Sequence, residues 1–551
     1  CDRRQRQMCI RDRFNNLYKI LKFSLPAVKE GTIIEYHYKL YSDYFSHIDN
    51  WMMQEELPML YNQYKITIPH VFVYNIELRG KDYIQVKQRD SSIHATEREG
   101  SSAGGVSKDF TVSAQETTFT SRNLPAIRQD ESYCWCPEDY KVQVSFDLQG
   151  TQFTPNEYKP YSQKWEDVDK QLLKPENTQF GEHLSLTNPF RPETKQAYNS
   201  EMNFEEKIIC AFQVLKKKMA WNGRYQLYSK ELEKVIKKGS GSNADLNFIL
   251  ISILKDFGLE AYPVVMSRRS SGMLPYNFPS LQKLNTFFVA IHDINKQKYV
   301  FLDSSMDVPA FNILPLELSV NKARMLSLKE KEEKKWVNVM ALSHNKSFMK
   351  IDARIEGNQV KGHRSTVLYG QEAIEYQANE NHKQDNLVSN PENKVSQKEK
   401  LTVTNLKVKK QENDWALIEE EFDFVLQADR TDDHLYINPM LFPQLKSNPF
   451  IQTERVLPIE FPYPYKFTML STLTLPEGYE VEELPQSQSI RSEGDGLQCK
   501  YMIQQQGNTI LLNYVFHLKG YIFLSEQYKQ LQELWAKVIE KNNALIVLKK
   551  I

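Results

Sequence analysis

The sequence has little cysteine, no net charge and no long apolar run, and each shortage closes off a class of protein. Six cysteines, at positions 1, 9, 134, 136, 210 and 499, are spread over 551 residues. They are too few and too scattered for a disulfide framework. Cys134 and Cys136 form a C-x-C pair, but no second Cys/His pair lies nearby to complete a tetrahedral zinc site, so the two read as strand residues on one face. Lys+Arg and Asp+Glu both number 70, a formal charge of zero, whereas a nucleic-acid-binding protein carries a basic face or tail. The run Lys329 to Lys335 mixes signs and reads as a solvated surface. No stretch approaches the roughly 18 apolar residues of a membrane span. The longest candidate, Phe248 to Leu254, reads as a buried helix segment. There is no H-E-x-x-H, paired C-x-x-C, P-loop or G-x-G-x-x-G, so neither a metal nor a cofactor is expected.

At roughly 100–200 residues per domain, the length predicts about three domains. Aromatic residues are plentiful, with 29 Tyr and 28 Phe, and these favour strands. Residues 1–13, CDRRQRQMCIRDR, hold five Arg and match nothing that follows. They read as a non-native, adaptor-derived segment, which leaves the natural start and any export signal unseen. Residues 14–160 read as a β-rich N-terminal domain. A turn at Lys29-Glu30-Gly31 leads into an alternating strand over 33–40, and residues 64–78 and 140–150 alternate likewise. The Ser/Thr/Gly/Glu-rich stretch 89–120 reads as a long surface excursion or irregular hairpin.

From Trp165 the period becomes helical. Ile208, Phe212, Leu215 and Met219 form one apolar stripe, with Lys216, Lys217 and Lys218 in the last turn, where cations suit the helix dipole. A helix over about 229–238 is followed by a Gly-Ser break. A further helix is expected over about 243–257, capped by Ser242 or Asn243, with Asp245 in its first turn and Gly258 just beyond its end. Strands follow at 261–267, 285–293 and 298–303. After 325 the pattern returns to strands. Hairpins are expected about Glu356-Gly357-Asn358 and Gln506-Gly507-Asn508, a polar loop or mobile helix over 376–400, an amphipathic helix over 525–541 and a last strand over 543–550.

A helix opening directly after a Gly-Ser turn, followed by strands, is the order of a papain-like core. The helix N-terminus lowers the pKa of a thiol, a strand-borne His takes its proton, and a carboxylate on the next strand orients the His. The phrase GSNADLNFILISILKDFGLEAYPVVMS (241–267) resembles the transglutaminase-like motif, in which G-x-C-x-D opens the helix. LNTFFVAI (284–291) resembles the His-bearing strand and FLDSS (301–305) the phrase holding the triad Asp. LPAVKEGTIIEY (25–36), WNGRY (221–225) and the C-terminal 526–550 are similar to a Bacteroidota envelope family that joins an N-terminal β-rich domain of unknown function, a transglutaminase-like domain and a C-terminal β-domain. The resemblance implies an α+β multidomain fold with a papain-like transglutaminase core (161–325) between two β-sandwich-type domains, the last spanning 326–551. It also implies a periplasmic or cell-surface location.

Carried over position by position, the nucleophile falls on Asn243, the His on Thr286, and the Asp on Asp303. A carboxamide is no thiolate and a threonine shuttles no proton at neutral pH, so the resemblance implies a degenerate triad and no catalysis. The expected function is a binding or scaffold module, its remnant cleft formed by Trp221, Asn222, Ser242, Asn247 and Arg269 and taking a peptide or glycan. Plainer structural roles stand beside these: Asn243 as a helix cap, Asp303 as a turn residue, Trp221 as core, Arg268 and Arg269 as surface loop, His292 as solvent-facing. The alternative is an active cysteine peptidase or amide-transferring enzyme using Cys210 or Ser242 with a His from elsewhere. A third reading is a purely structural module whose groove is filled by side chains.

Overall fold

The computed structural model describes residues 10–13, 19–22, 28–35, 37, 48–99, 106–128, 132–154, 157–160, 164–174, 179–229, 231–275, 279, 281–342, 344–385, 401–411 and 414–551. The chain divides into two compact units, Cys1–Ile48 and Asp49–Ile551. In the first, strands Ile10–Arg13 and Lys19–Lys22 pair antiparallel, and the expected turn forms, with Thr32 N donating to Lys29 O and Gly31 at φ 82°. The strand expected over 33–40 does not form in its described part. Thr32 to Glu35 are irregular and Ile33 is 94% exposed, since alternation makes a strand only where a neighbour completes the ladder hydrogen bonds. Residues 36 and 38–40 lie outside the described residues.

Asp49–Ile551 is multidomain and strand-rich. Its N-terminal part has two sheets. Trp51–Met52, Gln143–Thr154 and Phe72–Arg79 form one, with Glu157–Pro160 alongside, and Met59–Pro69, Val106–Leu124 and Gln85–Glu99 form the other. Tyr64 and Phe119 of the second meet Phe146 of the first with ring centroids 5.8 and 6.4 Å apart. The single alternating run 64–78 is cut at Pro69, whose missing N–H ends a ladder, and its halves enter different sheets. Of the two expectations for 89–120 the hairpin forms, and in its described residues it is regular rather than irregular. Gln85–Glu99 and Val106–Leu124 pair one-to-one from Gln85↔Thr120 to Glu99↔Val106. Thr-rich polar sequence holds a strand well when one face is buried, as Thr117, Phe119 and Ser121 are here. Cys134 and Cys136 are not strand residues; they flank Trp135 in an irregular segment ahead of the short helix Pro137–Tyr140.

The central part holds the helices Trp165–Leu173, Gln179–Leu184, Arg191–Ala197, Phe204–Lys218, Leu232–Lys238 and Asn243–Asp256. They accompany an antiparallel sheet in the order Lys298–Leu302, Thr286–Asp293, Glu260–Met266, Ala323–Met325, Trp336–Val337. The sheet runs past the boundary expected at 325, because Arg324 pairs with Trp336. Asn243–Asp256 is buried from Asn243 to Leu254, with Leu246, Ile249, Leu250, Ile253 and Leu254 at 0% exposure, as befits a helix enclosed on every side. It packs between Phe204–Lys218 and Thr286–Asp293.

The C-terminal part carries an eight-stranded sheet, with the expected hairpins turning at Gly357 and Gly507, both at positive φ. One parallel pairing, Lys346–Glu356 with Tyr465–Thr474, joins its two antiparallel halves. A four-stranded sheet including His434–Ile437 and Ile546–Lys550, together with helix Tyr528–Asn542, shares its apolar core. Helix Gln371–Asp385 covers the start of the stretch expected as loop or helix; residues 386–400 lie outside the described residues.

One charge cluster ties the first helix of the central part to its sheet. The Arg324 side chain is fully buried and donates to both Asp169 oxygens at 2.6 and 2.7 Å and to Glu332 at 2.6 and 3.0 Å. Lys335 Nζ donates to Asp169 at 3.0 Å. The guanidinium lies 5.6 Å from the Trp165 ring and 5.0 Å from the Trp336 ring. Removing one member of a buried pair strands the other charge. Asp169→Ala is expected to cost about 3–5 kcal/mol in guanidinium denaturation, and Asp169→Leu with Arg324→Met clearly less. A single variant no worse than the double would contradict this account.

Candidate functional site

The site begins at Gly241. A Cβ there would meet Val235 Cγ1 at 2.5 Å and Asp245 Cβ at 2.8 Å, so only glycine lets the chain turn this tightly into the helix. Ser242 then caps it reciprocally. Its N–H and Oγ–H both donate to Asp245 Oδ2 at 2.7 Å, and its Oγ accepts from Asp245 N at 3.3 Å. This is the capping-box geometry, and it occupies the hydroxyl that the active-enzyme alternative needs.

Asn243 follows as the first helical residue. Its Nδ2 donates to Thr286 Oγ1 at 2.7 Å and to Phe287 O at 3.0 Å, and its Oδ1 accepts from Gln226 N at 2.9 Å. The amide thus bridges helix, strand and the preceding turn rather than capping the helix. One turn further on the same face, Asn247 Nδ2 donates to the same Phe287 carbonyl at 2.8 Å and to Asp303 Oδ2 at 2.9 Å, while its Oδ1 accepts from Ser304 N at 3.0 Å. Asp303 Oδ1 accepts from the backbone N–H of Ser305 at 2.9 Å and from its hydroxyl. Burial pushes the Asp303 carboxyl above its ordinary range, and the hydrogen bonds from Ser305 and Asn247 oppose the rise in part.

The structure therefore brings Asn243 against Thr286 and sets Asp303 beside them through Asn247. Exposure is 0% for Asn243, Asn247, Thr286 and Asp303, and 1% for Ser242. The turn after Trp221 seals the approach. Asn222 N donates to Gly241 O, Asn222 Oδ1 accepts from Arg224 N, and both Trp221 Nε1 and Asn243 N donate to Arg224 O. Tyr225, whose ring lies 5.1 Å from that of Trp221, reaches Ser305 Oγ at 3.3 Å. Tyr225, Gln226 and Ser305 carry no role in the sequence reading; Tyr225 lies in the WNGRY phrase and Ser305 in FLDSS, while Gln226 has no signal.

Arg269 does not border this site. Its guanidinium donates to Phe461 O at 2.7 Å and Pro462 O at 2.8 Å and lies 4.4 Å from the Trp135 ring, so it fastens the central part to its neighbours. His292 is not solvent-facing: it stacks on Tyr299 and reaches Glu260 at 3.5 Å. Cys210 Sγ donates to Ala197 O at 3.6 Å, and burial pushes its thiol pKa up, the opposite of an activated nucleophile. Among the described residues there is no cluster of three His, Cys, Asp or Glu able to hold a metal, and no helix is long and apolar enough to cross a membrane.

The family described as a domain of unknown function with a solved structure, DUF3858, matches residues 433–548. No curated protein matches the chain. Two crystal structures are similar. A "putative protease" from Parabacteroides distasonis is 13% identical, with 91% of this chain and 74% of that one covered and a TM-score of 0.48. A "putative cysteine protease" from Cytophaga hutchinsonii is 10% identical, with 45% and 80% covered and a TM-score of 0.16.

The buried Asp303 yields a prediction of definite sign. Its folded-state pKa is raised above the unfolded value of about 3.9, so ionisation costs the fold stability. The cost is absent below the unfolded value, grows between the two values and is complete above the folded one. Asp303→Asn cannot ionise. Thermal melts of the two proteins should show the wild type gaining stability relative to the variant as pH falls from neutral through that window. A flat difference, or one of opposite slope, would rule out this role for the carboxyl.

Proposed function

We propose that the chain is a catalytically inactive transglutaminase-like protein of the cell envelope, its papain-type core serving as a scaffold between two β-rich domains. One observation carries the reading: at the positions where the resemblance puts nucleophile and base, a carboxamide and a threonine hydroxyl lie 2.7 Å apart in a site closed to solvent. Both amide N–H bonds and the carbonyl oxygen of Asn243 are engaged, so the group has neither the nucleophilicity nor the freedom to attack. Thr286 cannot take a proton at neutral pH.

Sealing favours the scaffold over a peptide- or glycan-binding cleft at Asn243, because a ligand there would first have to break the turn Trp221–Gln226 from the helix. The scaffold role draws support from the way the parts are bound together. Trp135 N and Tyr140 OH donate to the two Glu460 oxygens at 2.7 and 2.6 Å, Arg269 clasps the next two carbonyls, and Gln371 Nε2 donates to Leu314 O at 2.6 Å. The envelope location rests on the resemblance of residues 25–36, 221–225 and 526–550.

The test offers the full chain a glutamine-containing peptide with a fluorescent amine, and separately labelled casein. Neither acyl transfer nor hydrolysis is expected. Turnover by the wild type that disappears in Cys210→Ser or Ser242→Ala would overturn the reading in favour of an active enzyme. In Asn243→Cys with Thr286→His, the new thiol should react with iodoacetamide only after partial denaturant loosens the covering turn.

A further inference from the structure

Away from the central site, a cleft of about 810 Å³ opens where the face of the four-stranded N-terminal sheet meets residues 270–275 of the central part. Its size is that of a small-ligand or side-chain pocket, and such pockets favour domain seams. One wall follows from strand register. Asn75 lies opposite Asp147, and Glu77 opposite Ser145. Alternate residues share a face, so these four form a polar row, while Phe146 and Leu148 turn into the core. The other wall includes the apolar Met273 and Leu274.

The charges in the cleft are unevenly answered. Arg79 is committed: it pairs with Asp139 at 3.5 Å and donates to Asp139 O at 2.9 Å, and Asp139 in turn accepts from Met273 N at 2.6 Å. Among the described residues, neither Glu77 nor Asp147 makes an ion pair. Asp147 accepts from Gln149 Nε2 at 2.7 Å, and partial burial raises its carboxyl with no cation to offset it. Lys283 lies on the loop side of the cleft. As diagonal neighbours on one face, Glu77 and Asp147 spring from backbone positions roughly 7–8 Å apart, near enough for both carboxylates to turn toward one guanidinium or ammonium and accept from it at about 2.8 Å each.

We propose that this cleft binds an extended peptide segment through one arginine or lysine side chain seated between Glu77 and Asp147, with apolar neighbours of that side chain lying against Met273 and Leu274. The amphipathic slot favours a peptide over a bare polyamine. A glycan fits less well, since the aromatic residues lining the cleft are engaged elsewhere: Phe146 is buried against Tyr64 and Phe119, and the Tyr140 hydroxyl is held by Glu460. The proposal is independent of whether the central core is catalytic.

The experiment measures fluorescence anisotropy of a labelled, end-blocked pentapeptide carrying one arginine among leucine and alanine, and of its neutral citrulline counterpart, with the full chain at low and physiological salt. The arginine peptide is expected to bind about tenfold or more tightly than the citrulline one, and to weaken with salt. The double variant E77Q/D147N is expected to lose that preference while keeping its melting temperature, since neither side chain is fully buried and both substitutions keep its shape. Equal binding of the two peptides, an unchanged preference in E77Q/D147N, or no binding of the arginine peptide up to millimolar concentration would each overturn the proposal.

Discussion

Two asparagines one helical turn apart share a single carbonyl, and the central part of the molecule depends on that arrangement. Asn243 and Asn247 both donate to Phe287 O, and through their remaining atoms they hold Thr286, Gln226, Asp303 and the turn at Ser304. Between its capping turn and its last turn the helix is mostly apolar, and apolar packing is non-directional. Without these bonds nothing would fix how far the helix slides along the sheet. Because buried polar groups cost most when unpaired, the amides specify one register and penalise its neighbours. Phe180, Phe248 and Phe287, with ring centroids 4.8 to 5.1 Å apart, fill the space beside that register.

A second constraint acts where the parts of Asp49–Ile551 meet. Glu460 accepts from Trp135 N and Tyr140 OH while its own N–H donates to Tyr133 O, and the Tyr133 ring packs on Phe450 and Phe461. Arg269 adds two bonds from the central part to the same strip of backbone. The short segment 132–140 therefore works as a joint, which explains why Cys134 and Cys136 sit in irregular chain: the backbone must turn to serve three neighbours. Burial raises the Cys134 thiol to about 12 and the Cys136 thiol above its ordinary value, so both are present as small packed groups rather than reactive ones.

Much of the local structure was legible because its causes are local. Ser242 and Asp245 mark a helix start by their spacing, and the structure has the helix at Asn243–Asp256. Gly357 and Gly507 mark two hairpins by the positive φ their turns need. The stretch 89–120 leaves a surface excursion and an irregular hairpin both open, because Ser and Thr suit loops and strands alike; the hairpin forms, regular in its described residues, because one face is covered. Nearness in sequence to strand Glu260–Met266 puts Arg269 at the cleft, whereas its side chain reaches carbonyls nearly two hundred residues away.

The sequence alone determined that asparagine and threonine stand where the resemblance puts cysteine and histidine, because residue identity is covalent and no folding changes the chemistry of a carboxamide. It also determined the helix cap and the tight hairpin turns, which arise from bonds within a few residues. Only the tertiary structure decided that these two side chains touch, that Asn247 joins them to Asp303, and that the turn after Trp221 closes over all of them. Those outcomes depend on hydrogen bonds between segments 17 to 57 residues apart, and contacts at that separation leave no periodic trace in a chain.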